Sequence, residues 1–168
     1  MLSVYGKQTP LKKNRLVKTL PMLPKQFDIS FDFKPTKWIG GWTSLLHLTT
    51  GTNGVRLPGI FPLNGKIMIQ VTAQFTVWTP KLALNKWVHF RLTQRLEGKN
   101  YVYRVYMNNK QLKAVVNKKP QDIKNVKVYV ADPWYNAQPG FVRNVRVSGR
   151  FLVIYFYSQR FTLYPLRR

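Results

Sequence analysis

The sequence predicts an all-β protein folded as a two-layer antiparallel sandwich, and three observations carry that prediction. Residues 27 to 33 alternate strictly, with Phe27, Ile29, Phe31 and Phe33 on one side and Asp28, Ser30 and Asp32 on the other. That is the pattern of a half-buried strand. Further short β-rich runs follow, each bounded by turn residues. No stretch sustains a 3.6-residue apolar period with a cap, so helices are not expected.

In chain order, the further strands are expected at Trp42 to Thr49, Lys66 to Val77, Trp87 to Thr93, Tyr101 to Met107, Gln111 to Val116, Val126 to Ala131, Phe141 to Val147 and Phe151 to Tyr157. Tyr101 to Val116 reads as a hairpin around Asn108-Asn109-Lys110, because Asn tolerates the positive φ of tight turns. Glu97-Gly98-Lys99-Asn100 is a second turn, so three consecutive antiparallel strands are expected. Asp132 to Gly140 is an irregular loop: Pro133 and Pro139 have no N–H for a ladder, and Gly140 permits a sharp return.

The chain has 168 residues, which fits one domain. It carries 28 Lys and Arg against five acids, a net charge of +23, with 45% apolar and 14% aromatic residues. Enough surface can be buried to exclude a disordered basic tail. The charge points to an anionic partner. Residues 1 to 26 hold six basic residues and no acid, broken by Pro10, Pro21 and Pro24, and read as a basic arm. Residues 27 to 149 form the expected domain, itself +13, and residues 150 to 168 a C-terminal extension with four Arg.

With no cysteine, disulfide scaffolds, thiolate metal sites and cysteine nucleophiles are excluded. The first 24 residues contain no apolar stretch of signal-peptide length, and Phe151 to Tyr157 is too short to span a bilayer, so no export signal or transmembrane segment is expected.

The order of pieces resembles a known family. Leu84-Asn85-Lys86-Trp87-Val88-His89-Phe90-Arg91-Leu92 is similar to the Trp-x-His strand of laminin G-like and concanavalin A-like domains. Tyr103 to Leu112 resembles that family's strand, Asn turn and return. Val128-Tyr129-Val130-Ala131-Asp132 and Pro139-Gly140-Phe141-Val142-Arg143-Asn144-Val145-Arg146-Val147 resemble its late strand and closing strand. The match covers residues 27 to 149 and looks closest to versions in extracellular proteins of marine invertebrates. It implies a jelly roll whose rim loops bind glycans or proteins outside the cell. Calcium-binding members use rim oxygens, and here only Asp132, near Asn136 and Asn144, offers a start toward such a site.

Catalysis is not expected. Glycoside hydrolysis needs two carboxylates about 5 to 9 Å apart. Asp28 and Asp32 share a strand face, but four residues at about 3.3 Å each separate them by about 13 Å. His47 and His89 are too few for a histidine metal triad, and no G-x-S-x-G elbow occurs. Without a glycine-rich loop leading into a helix, no nucleotide cofactor is expected, and none of another kind. Trp87 and His89, on one strand face, read as packing and a satisfied hydrogen bond, with ligand contact as the other reading.

Three groups of residues remain as candidates for ligand contact. Leu11-Lys12-Lys13-Asn14-Arg15-Leu16 places Lys12, Lys13 and Arg15 in a spacing often read as a heparin-binding or nuclear-targeting patch. Arg91, Arg95 and Arg104 are expected to form a basic stripe on one sheet face, where guanidinium groups bind sulfate, carboxylate or phosphate. Trp134 and Tyr135, in the Asp132 to Gly140 loop, are suited to stacking on sugar rings or bases. Trp38 and Trp42, around Gly40-Gly41, either stand exposed or plug one end of the sandwich. The expected function is a non-catalytic module for acidic or sulfated glycans or an acidic protein. The alternative is a basic nucleic-acid-binding or ribonucleoprotein component.

Overall fold

The computed structural model describes residues 2 to 71 and 75 to 149. Strands β1 (Leu2–Tyr5), β2 (Thr9–Pro10), β3 (Leu16–Leu23), β4 (Phe27–Pro35) and β5 (Thr43–Ser44) come first. Then follow β6 (Leu46–Thr49), β7 (Gly59–Leu63), β8 (Lys66–Val71), β9 (Phe75–Trp78) and β10 (Val88–Glu97). The last are β11 (Asn100–Met107), β12 (Lys110–Asn117), β13 (Ile123–Val130), β14 (Asn136–Ala137) and β15 (Gly140–Gly149). No α-helix occurs among the described residues, hence none long and apolar enough to cross a membrane.

Two antiparallel sheets form the sandwich. The back sheet runs β1-β15-β4-β10-β11-β12, with β2 also paired to β15, and the front sheet runs β3-β13-β6-β7-β8-β9. The alternation of β4 decides which residues meet: Phe27, Ile29, Phe31 and Phe33 are buried, and the intervening residues lie on the outer face. Phe31 pairs in register with Phe90, and their rings stack at 5.2 Å. From the front sheet, Leu46, Leu48, Ile60, Ile67, Ile69, Val126, Val128 and Val130 close the core, each with no exposed surface. Every such side chain contributes about 1.5–3 kcal/mol of transfer free energy.

The expected run β10-β11-β12 is present, with two-residue turns at Gly98-Lys99 and Asn108-Asn109, and the φ values of Asn108 and Asn109 are both positive (48° and 65°). The Trp42 to Thr49 run divides into β5 and β6 at Leu45, and Lys66 to Val77 falls into β8 and β9.

The basic arm is corrected by the structure. Residues 2 to 23 supply strands to both sheets: β1 and β2 pair with β15, and β3 pairs with β13. Leu20 and Leu23 of β3 are buried in the core, and Val17 packs against it, which ties this stretch to the sandwich despite its prolines. The run Phe151 to Tyr157 and the 150 to 168 extension lie outside the described residues.

Candidate functional site

At β6 the front sheet is buried on both faces. All four residues of β6 are buried: Leu46 and Leu48 face the core, while His47 and Thr49 are covered on the outside. The cover consists of two loops, residues 50 to 58 and 131 to 139. His47 joins them, since its Nε2 donates to the Val55 carbonyl at 3.0 Å and its Nδ1 lies 2.9 Å from Asp132 Oδ2. Asp132 Oδ1 accepts the backbone N–H groups of Trp134 (3.0 Å) and Tyr135 (2.9 Å). Burial alone would push the Asp132 carboxyl up, but its bonds from His47, the Tyr135 N–H and Ser44 hold it below the usual carboxylate range.

This bonding aims the loop aromatics at the outer face of the front sheet. The Trp134 ring packs 5.4 Å from His47 and 6.3 Å from Tyr129, yet Trp134 keeps 37% of its surface exposed. Tyr135 meets the edge of Phe61 at 5.4 Å, and the Arg56 guanidinium lies over Phe61 at 4.7 Å. Arg56 also bonds Gln70 of β8. Gly59 permits this stack: a Cβ there would stand 2.5 Å from the Phe61 ring.

The basic cluster at residues 12 to 15 comes to the same place. Asn14 N–H donates to the Asp132 carbonyl and Arg15 N–H to the Ala131 carbonyl, each at 3.1 Å. Lys12 and Lys13 are exposed on this turn, beside the loop that carries Trp134. Five of the eight sequence-derived site residues therefore gather around one loop: Lys12, Lys13, Arg15, Trp134 and Tyr135.

The other three do not join them. Arg91, Arg95 and Arg104 share the outer face of the back sheet, Arg104 standing opposite Thr93 between the two β10 arginines. These three lie on one face, but the sandwich separates them from Trp134, and carboxylates of the chain already engage them. Arg91 Nε donates to both oxygens of Asp28 at 3.0–3.1 Å, Arg95 Nη2 reaches Asp28 at 3.2 Å, and Arg104 pairs with Glu97. On the same face Asp32 accepts from His89 (2.7 Å), Arg143 (3.1 Å) and Asn144 (2.7 Å). Burial would raise the Asp32 carboxyl, and these three bonds more than offset it. Trp87 lies under the Arg143 guanidinium at 4.1 Å. Trp87 and His89 thus sit within this ionic lattice.

The remaining acid, Asp122, accepts the Lys25 N–H at 2.7 Å. Every one of the five carboxylates is therefore bonded within the fold. Asp132 is fully buried and its oxygens are taken, while Asn144 lies on the back sheet, so these residues do not converge as a calcium site. No cluster of three metal-ligating side chains occurs among the described residues.

Trp38 packs partly buried against the core, whereas Trp42 stays 42% exposed, its ring 5.8 Å from the 44%-exposed Trp78 of β9. Trp78 was not singled out from the sequence, although the alternation of Phe75 and Val77 against Thr76 and Trp78 turns it outward. Arg56 carries no sequence signal, because its position depends on a loop. At the other end of the sandwich a cleft of about 340 Å³ opens between the sheets, lined by Leu23, Phe27, Val71, Gln94 and Tyr103 among others. Burial there pushes the Tyr103 phenol up to about 12.

No protein-family model matches the sequence, and no curated protein matches it. Solved structures do. The CBM40 module of the Ruminococcus gnavus IT-sialidase, bound to α2,3-sialyllactose, aligns with a TM-score of 0.57 at 16% identity, covering 87% of this chain and 91% of that one. Domain 4 of the extracellular arabinanase AbnA from Geobacillus stearothermophilus, in complex with arabinotriose, aligns at 0.54 and 14% identity, over 86% and 83%. The Trypanosoma rangeli sialidase aligns at 0.57 and 19% identity, over 76% of this chain but 21% of the enzyme. These likenesses do not single out laminin G-like domains; what they show is a shared two-sheet β-sandwich fold.

Proposed function

We propose that the protein is a non-catalytic module that binds acidic or sulfated glycans outside the cell, through the loop bearing Trp134 and the turn at Lys12 to Arg15. The observation that carries this is their juxtaposition: an exposed indole face, held in place by Asp132, beside exposed lysines on a turn bonded to the same loop. A sugar ring presents apolar C–H groups to an indole, and a sulfate or carboxylate on it pairs with the lysines. No carboxylate opposes that charge, since the one acid nearby is buried under His47.

The engagement of all five acids supports a non-catalytic reading, because a hydrolase needs a carboxylate left to protonate or attack its substrate. Two structural neighbours in complex with saccharides, one of them a domain of an extracellular enzyme, agree with the glycan and the location. The engagement of the arginine stripe by Asp28 and Glu97 favours the Trp134 loop over that stripe as the ligand's contact.

Calorimetric titration of the protein with a heparin tetrasaccharide, uncharged maltotetraose and a single-stranded oligonucleotide of equal charge tests the reading. Heparin is expected to bind, maltotetraose to bind at least tenfold more weakly, and Trp134→Ala to weaken heparin binding at least tenfold. Tighter binding of the oligonucleotide, with the same Trp134 dependence, would transfer the site to nucleic acid.

A further inference from the structure

The same face carries a second exposed aromatic group. Trp78 lies opposite Met68, which lies opposite Phe61, so one row of side chains crosses β7, β8 and β9 on the outside of the front sheet. Trp42 and Trp78 touch at the end of that row and are each more than 40% exposed. A protein without a partner rarely leaves two indoles in contact with water. Beside them a shallow depression of about 520 Å³ is lined by Leu63, Asn64, Lys66, Trp78 and Lys81, the two lysines being exposed. Each aromatic group therefore has its own pair of cations, and no acid lies between them: Asp28, Asp32 and Glu97 are on the back sheet, Asp122 bonds Lys25, and Asp132 is buried.

We infer that Trp42 and Trp78, with Lys66 and Lys81, form a second contact for one acidic polysaccharide chain, so that the module selects for chain length. This rests on the proposed reading of the Trp134 loop. Trp134 lies over His47 of β6 and Trp78 stands on β9, three strand spacings away, or about 14 Å. A disaccharide seated at one indole does not reach the other. A longer chain laid across the strands engages both, and the second contact forms intramolecularly at high effective concentration.

The test titrates the full chain with size-defined heparin disaccharide and hexasaccharide, in the parent protein, Trp78→Ala and Lys66→Gln/Lys81→Gln. The parent is expected to bind the hexasaccharide at least 30-fold more tightly than the disaccharide, more than additional sugar units give statistically. Either variant is expected to remove at least tenfold of that gain while leaving disaccharide affinity unchanged. The lysine variant retains both indoles, so it separates lost contact from lost folding. A length gain that survives both variants overturns the inference and leaves the Trp134 reading standing. Failure of both saccharides to bind the parent overturns the two together.

Discussion

His47 and Asp132, 85 residues apart in the chain and both fully buried, meet at 2.9 Å beneath the Trp134 loop. The pair connects three elements: strand β6, the loop of Val55 and the turn of Trp134 and Tyr135. Replacing the carboxylate weakens the buried acceptor that holds the Trp134 and Tyr135 N–H groups, which costs about 1–3 kcal/mol. Asp132→Asn is therefore expected to lower the unfolding free energy by that amount in urea titration. A loss below about 1 kcal/mol would mean that the pair does not hold the loops.

The pH dependence of stability follows from two carboxyls and one phenol. Asp32 and Asp132 are both held below the ordinary carboxylate value. They contribute fully above about pH 4, and that contribution fades as the pH falls through their lower folded values. Asp32→Asn should flatten the acid limb of the urea midpoint. Tyr103 behaves in the opposite sense: its folded value is about 12 against an ordinary 10. Its stabilising effect is complete below pH 10 and lost as pH rises through 12, about 2–3 kcal/mol in all. Tyr103→Phe should abolish this alkaline loss.

Asp28 holds two arginines of the back sheet. Asp28→Asn keeps the shape and removes the countercharge, so Arg91 and Arg95 gain capacity for external anions. Elution from immobilised heparin is expected to shift to higher salt, while stability changes by about 1 kcal/mol or less because Arg91 is half exposed. An unchanged elution position would show that this face stays out of contact with heparin even when its internal carboxylate is neutralised.

Gly59→Ala drives a methyl group into the Phe61 ring, whose carbons lie 2.5 and 2.8 Å from the new atom's position. Phe61 must move, and Tyr135 and Arg56 rest on it. About 1–3 kcal/mol of destabilisation is expected from overpacking. Heparin tetrasaccharide binding should weaken with it, read by titration at a temperature where the variant remains folded.

Strands β4 and β10 to β12 of the back sheet were legible because they are half buried, and half burial writes an alternating pattern into the chain, whereas β1 and β2 were read as part of the basic arm. The front sheet was harder to read. Its β6 is buried on both faces and loses the alternation. Pro58, just before β7, and Pro62, within it, lack the N–H of a ladder residue, yet pairing with β6 extends only from Gly59 to Ile60, so Pro62 has no partner to fail on that side. Strand β3 was obscured by Lys18 and Pro21 within its apolar positions. The site divides in the same way. Residue types singled out Trp134, Tyr135, Lys12, Lys13 and Arg15, but their meeting depends on backbone bonds from Asn14 and Arg15 to Ala131 and Asp132, more than a hundred positions away. The engagement of Arg91, Arg95 and Arg104 by Asp28 and Glu97 depends on cross-strand register, which charge counting does not contain.

Chemical-shift mapping of backbone amides during titration with a heparin tetrasaccharide tests the central claim most directly. Saturable shifts are expected at Lys12 to Arg15, Tyr129, Trp134 and Tyr135, on the front-sheet side. Shifts confined to Arg91, Arg95, Arg104 and their strand neighbours would put the ligand on the opposite face and contradict the account.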